Sequence, residues 1–188
     1  MTKLNIGPGI SGQGDKKIDL YPFEGVTDVV DLAVEPIPYP DNHFDEVEAS
    51  QVLEHIPTQL RWQEWEEREE LQLEGRIMEG TLKWRLRFPR VELMREIHRV
   101  LKPGGVLIAS VPGVDEERKV MRWAQDPSHA DVPWILEAFD YFCNAWGGGN
   151  CKHEAHFSSG INFGFERVKH QYSEDRSVLT VWLEKPSR

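Results

Sequence analysis

Two stretches of this chain leave few choices of fold. In one of them Leu93, Met94, Ile97, Val100 and Leu101 recur at helical spacing and make a single apolar stripe. Lys102-Pro103-Gly104-Gly105 then has to end the helix, because proline cannot donate a backbone hydrogen bond and glycine accepts the left-handed conformation. An apolar run, residues 106–111, follows at once. The other stretch lies earlier. There the turn Pro40-Asp41-Asn42-His43-Phe44-Asp45 leads into a strand over residues 45–51, and a helix is expected from about Val52. Apolar runs bounded by turn residues describe strands buried on both faces, as in a parallel sheet covered by helices. Helix, tight turn and buried strand together form half of a βαβ unit.

Further strands are expected over residues 3–7, 16–21, 28–34, 164–171 and 178–184. The last two are joined by a short polar segment and read as a C-terminal antiparallel hairpin. The first three lie close together in sequence. Only about eight and about six residues separate them, where a parallel crossover normally takes a dozen or more. Either the N-terminal half is abbreviated, with irregular loops in place of helices, or one of these three segments is not a strand. The fold class that results is α/β: a Rossmann-like, mostly parallel sheet with a C-terminal antiparallel hairpin. At 188 residues the chain is expected to be one domain, residues 1–188.

Composition removes several function classes. Hydrophobic residues are 39% and charged residues 29%, the balance of a folded domain rather than a disordered one. No apolar run approaches the length of a membrane span, and no membrane association is expected. The N-terminus runs straight into strand-like sequence without signal-peptide architecture, so a cytoplasmic location is expected. A net charge of −10 disfavours nucleic acid as a partner, since non-specific binding needs a positive field. Cys143 and Cys151 are too few for a disulfide framework.

Gly7-Pro8-Gly9 follows the first strand, where glycine lets the backbone take positive φ and approach a ligand. Gly7 to Gly12 also satisfies G-x-G-x-x-G. In a dinucleotide-binding protein that loop opens a helix, and an acid follows about 20 residues on. Here Asp19 comes only seven residues after Gly12, which leaves little room for a phosphate-holding helix N-terminus. An NAD-dependent Rossmann enzyme is thus the weaker alternative.

Taken together, these motifs resemble the class I S-adenosylmethionine (SAM) dependent methyltransferases. The likeness is greatest to the small members that open with Leu-Asn-Leu-Gly-Cys-Gly, matched here by Leu4-Asn5-Ile6-Gly7-Pro8-Gly9 with proline in place of cysteine. The resemblance implies SAM as cofactor and a binding set of Gly7, Pro8, Gly9, Asp19, Leu20, Asp31, Leu32 and Ser50. Asp19 would accept from both ribose hydroxyls. Asp31 would take the adenine amine, with Asp28 as its rival, Leu32 would pack on the ring, and Ser50 would lie beside the methionine part. A SAM-fold module that binds without catalysing is the other alternative.

Methyl transfer has no universal catalytic residue, so only candidates can be named. His55, in Glu54-His55 near the expected cofactor face, is a candidate general base, since imidazole titrates near neutral pH, and the resemblance of Asp126-Pro127-Ser128-His129 to the Asp-Pro-Thr-His of relatives implies a substrate-side role for His129. The methyl acceptor is unidentified and expected to be a small molecule. Phe139, Tyr141, Phe142 and Trp146 are candidates for an aromatic wall or for core. Cys143, Cys151, His153 and His156 do not follow a standard zinc-finger spacing, and no metal is expected.

Relative to the family, residues 58–90 look like an insertion. Its first half is acidic (Glu64, Glu66, Glu67, Glu69, Glu70, Glu74) and is expected to be a helix bearing Trp62 and Trp65. Its second half alternates, Leu82-Lys83-Trp84-Arg85-Leu86-Arg87-Phe88, as a strand would. Seven Lys/Arg and seven Glu between Pro57 and Val91 neutralise one another, and a homodimer through this insertion is an open expectation.

Overall fold

A seven-stranded sheet organises the chain. The computed structural model describes residues 1–10, 12–67, 80–115, 120–121, 128–129, 133–143 and 163–187. In chain order the strands are β1 (Lys3–Ile6), β2 (Lys16–Asp19), β3 (Asp28–Val29), β4 (Phe44–Ser50), β5 (Leu60–Glu67), β6 (Gly80–Arg87), β7 (Leu101–Pro112), β8 (Val114–Asp115), β9 (Val120–Met121), β10 (Glu166–Tyr172) and β11 (Val178–Glu184). Two α-helices, α1 (Pro89–Val100) and α2 (Leu136–Asp140), accompany them. The large sheet runs β10-β11-β7-β4-β1-β2-β3. β11 is antiparallel to both of its neighbours, and the remaining pairs are parallel.

The short links between β1, β2 and β3 are irregular turns, yet all three strands pair parallel. Backbone bonds reach back to hold them. Asp15 N–H donates to the Lys3 carbonyl at 3.0 Å and Asn5 Nδ2 to the Gln13 carbonyl at 3.0 Å. The apolar runs are buried as their pattern implies: Leu4, Ile6, Ile18, Val47, Ala49, Leu107, Ala109 and Val111 join one core. The stripe of α1 contributes Leu93, Met94, Ile97 and Val100 to that core, and the helix ends at Val100. Gly104 has φ +77° and donates its N–H to the Lys185 carbonyl, so the Pro-Gly-Gly turn is clasped to the C-terminal segment.

Three expectations are corrected. The third strand stops at Val29 rather than continuing to residue 34. Asp31 Oδ1 accepts the Ala33 N–H, and the Asp31 carbonyl accepts from Val34 and Glu35, so the aspartate turns the chain away. The helix expected from Val52 is one 3-10 turn, Leu53–His55. Ile56 is already extended, as the residue before Pro57 must tend to be.

The third correction concerns the insertion. Residues 60–67 of its acidic half are not helical but form strand β5, paired antiparallel with β6 from Leu60↔Arg87 to Glu67↔Gly80. Glu64 stands opposite Lys83, and Arg85 Nε binds Glu64 Oε2 at 2.6 Å, so the two halves neutralise each other across the hairpin. At its base Arg87 Nε pairs with Glu92 at 2.9 Å and Nη1 with the Val34 carbonyl at 3.0 Å. Glu69, Glu70, Glu74, Trp146, Cys151, His153 and His156 lie outside the described residues. Among the described residues no helix is long and apolar enough to cross a membrane.

Candidate active site

The chain leaves β1 toward β2 on one side and returns through β4 on the other. The carboxyl ends of β1 and β4 therefore face the point where the strand order reverses, the usual place for a ligand in an open α/β sheet. A cleft of about 500 Å³ opens there. Its wall includes Gly7, Gly9, Asp19, Leu20, Asp31 and Leu32 from the expected set, with Tyr21, Val30, Gln51, Val52, His55 and Ser128. Pro8 and Ser50 are not in this wall. Pro8 turns its carbonyl to the Gly12 N–H at 3.0 Å, and Ser50 Oγ lies 2.9 Å from Ser110 Oγ.

The glycines have separate reasons. Gly7 (φ +64°) lies against Val52, where a Cβ would come within 2.4 Å of a methyl carbon. Gly9 (φ +54°) would place a Cβ in open space, so only its backbone angle asks for glycine. Asp19 closes the floor. It is nearly buried; Oδ2 accepts the Gly9 N–H at 3.0 Å and Oδ1 the Tyr21 N–H at 3.1 Å. A carboxylate oxygen has two lone pairs, so each keeps one for a further donor. Asp28 is taken by the Tyr39 hydroxyl, whereas Asp31 lines the cleft.

These features fit SAM. A diol meets two acceptors at Asp19, an apolar strip of Leu20, Val30 and Leu32 suits a heterocycle, and no phosphate has to be held. Among the described residues between β1 and β2 there is no helix whose N-terminus could take a pyrophosphate.

A second cleft of about 350 Å³ adjoins the first through Gln51 and His55, and is lined also by Glu54, Pro112, His129, Ser177 and Val178. The structure thus brings together His55 and His129, far apart in sequence, with ring centroids 4.9 Å apart. His55 Nδ1 lies 3.3 Å from the Ser128 carbonyl and 3.4 Å from the Ser128 hydroxyl, so Ser128 holds the ring from that side. Glu54, between them, is 1% exposed, and Oε2 has no hydrogen-bond partner. Burial raises its pKa, opposed by its own backbone N–H and by the charges of His55, His129 and Arg90. The 3-10 turn is pinned from outside: Trp134 Nε1 donates to the Leu53 carbonyl at 2.9 Å and Arg90 Nε to the Ile56 carbonyl at 2.8 Å.

Sequence reasoning passed over Gln51 and Glu54. Gln51 takes φ +53°, an angle that nothing in its neighbours announces. Glu54 did carry a signal, a single acid between apolar Leu53 and Ile56. Phe139 and Phe142 prove to be core and Tyr141 is exposed.

Similar solved structures share this fold. A protein assigned as a methyltransferase, in complex with the Haloferax volcanii Trm112 methyltransferase activator, matches with TM-score 0.55 at 14% identity, over 98% of this chain and 82% of that one. A protein assigned as a sarcosine dimethylglycine methyltransferase from Galdieria sulphuraria matches with TM-score 0.55 at 11% identity, over 100% and 78%. The fold is that of the class I SAM-dependent methyltransferases. That methyltransferase fold also serves other chemistry: the 4+2 cyclase SpnF matches with TM-score 0.53 at 16% identity, over 99% and 74%. No family model matches the sequence, and no curated protein is recognisable as its relative.

Proposed function

We propose that the protein is a SAM-dependent methyltransferase acting on a small acceptor seated in the cleft beside Gln51, His55 and His129. The observation that carries this reading is the Asp19 carboxylate, fixed by the Gly9 and Tyr21 amides at the floor of the 500 Å³ cleft with acceptor capacity to spare. Asp19 would hold the ribose, Leu20, Val30 and Leu32 would enclose the adenine, and Asp31 would accept its amine. Gly7, Gly9 and Gln51 would bound the remainder. SAM, when bound, supplies an electrophilic methyl group on a sulfonium. The chain's own residues do the rest: they orient the acceptor, exclude water and offer imidazoles at the shared wall to take a proton.

Thermal unfolding with S-adenosylhomocysteine, and with NADH as control, tests the cofactor. A ligand that binds only the native state stabilises it by about 2.7 kcal/mol at a hundred times its dissociation constant. A shift with the homocysteine product alone supports the reading; a shift with NADH alone, or none at millimolar product, overturns it. Binding without turnover across an acceptor panel would favour the non-catalytic module instead.

A further inference from the structure

The second cleft holds more than a pair of candidate bases. Glu54, His55 and His129 each offer one ligand atom, and these atoms lie within 4.8 Å of one another. Two imidazoles and one carboxylate are the donor set of many open transition-metal sites, with the remaining positions left for water or substrate. Hard cations prefer an all-oxygen shell, so this set selects against magnesium and calcium.

A second, independent observation points the same way. Glu54 is 1% exposed, its Oε2 has no hydrogen-bond partner, and it belongs to the three-atom group. Buried polar atoms in folded proteins are satisfied almost without exception, so an orphaned oxygen on a carboxylate grouped with two imidazoles calls for a partner, and a cation supplies one. The support around it also suits a metal centre. Ser128 holds His55 Nδ1 through its carbonyl at 3.3 Å and its hydroxyl at 3.4 Å, the kind of outer contact that orients a metal-binding imidazole. Trp134 and Arg90 fix the turn that carries Glu54 and His55. Binding would need the three donors to draw in to roughly 3.4 Å of one another, the spacing of tetrahedral ligands about 2.1 Å from an ion. His55 is exposed and His129 half-buried, so both rings have room to move.

We infer that Glu54, His55 and His129 form a site for one divalent transition-metal ion of the zinc class, at the wall between the two clefts and open toward the smaller one. The site stands on its own ligands; only its placement beside a methyl acceptor rests on the function proposed above.

The test uses the full chain stripped with EDTA and titrated calorimetrically with zinc chloride, with magnesium chloride as control and cobalt(II) as a spectroscopic probe. We expect one zinc per chain, no magnesium binding, and a cobalt spectrum without a thiolate charge-transfer band. Glu54→Gln and His129→Ala should each weaken zinc by roughly tenfold or more, since even outer-shell changes cost that much. Circular dichroism and the affinity for S-adenosylhomocysteine establish that each variant is folded. Absence of zinc binding, undiminished binding in both folded variants, or a cobalt–thiolate band placing the ion on cysteine would each overturn the inference. Homocysteine-product binding without zinc binding removes the metal and spares the proposed function; zinc binding without the product does the reverse.

Discussion

Replacing Asp19 by asparagine changes one atom and tests most of the cofactor site. Each carboxylate oxygen accepts one backbone N–H, from Gly9 at 3.0 Å and Tyr21 at 3.1 Å, and in the proposed complex each would use its second lone pair on a ribose hydroxyl. Asparagine keeps one oxygen. Its amide group must then face either the Gly9 or the Tyr21 N–H, donor against donor, and can no longer accept from the hydroxyl on that side. Loss of one hydrogen bond to a charged group is worth about 1.5–3 kcal/mol. At 1.4 kcal/mol per decade, S-adenosylhomocysteine should bind roughly ten- to a hundredfold more weakly, as read by calorimetry. The unliganded protein also loses one backbone bond, worth about 1 kcal/mol, which lowers the melting temperature of a chain this size by about 2–4 °C. The two effects separate: the affinity is measured far below the melting temperature, where the variant is folded. Wild-type affinity in folded Asp19→Asn would remove Asp19 from the cofactor site and, with it, the main support for SAM.

Gly7→Ala should destabilise more than Gly9→Ala: both pay for a left-handed alanine, about 1–2 kcal/mol, but only Gly7 would also force a Cβ to within 2.4 Å of Val52. Equal losses in chemical denaturation would show that the Val52 contact relaxes freely. Gln51→Gly should be more stable than Gln51→Ala by about 1 kcal/mol, reversing the usual order of these two residues, because φ at Gln51 is +53°; identical melting curves would refute the strain. His98 is pushed below its usual 6.5 by burial, with the Lys185 ammonium adding to the effect. The unfolded chain therefore takes the proton first, and stability should fall as pH drops below about 6.5, a loss that His98→Gln abolishes. Parallel pH profiles for the two proteins, from urea midpoints between about pH 7.5 and 5, would show that His98 does not titrate on unfolding.

The parts of the fold that were legible share one property: their signal is local. The stripe of α1 and its Pro-Gly-Gly stop, the glycines at the end of β1, and the apolar runs of β4 and β7 each depend on residues a few positions apart. The misreadings fall where the deciding partner is distant. Nothing in residues 60–67 alone favours a strand, and a row of glutamates suits a helix. Pairing with residues 80–87, some twenty positions later, reverses that preference: the ladder runs from Leu60↔Arg87 to Glu67↔Gly80, and Arg85 binds Glu64 across it. The shortened third strand is the converse case, in which a single side chain, Asp31, caps its own turn and overrides the β preference of Val30 and Val34.

The same distinction governs the site. Gly7, Gly9, Asp19, Asp31 and Leu32, which the family resemblance implied, all line the larger cleft, Gly7 and Asp19 at the carboxyl ends of strands whose register follows from apolar pattern. Ser50 and Gln51 show how narrow that margin is. Ser50 ends β4 and Gln51 follows it, and the apolar pattern does not say which of them meets the ligand; Gln51, at positive φ, lies in the wall of both clefts, while Ser50 pairs with Ser110. The histidines were nameable, but not their acid. Glu54 becomes consequential only because the 3-10 turn, held by Trp134 and Arg90 from elsewhere in the chain, buries it between them. A carboxylate buried there with one oxygen, Oε2, left without a hydrogen-bond partner costs stability, and a fold retains such a cost where the group has another use. The chemistry of this cleft is therefore to be sought in the three residues together.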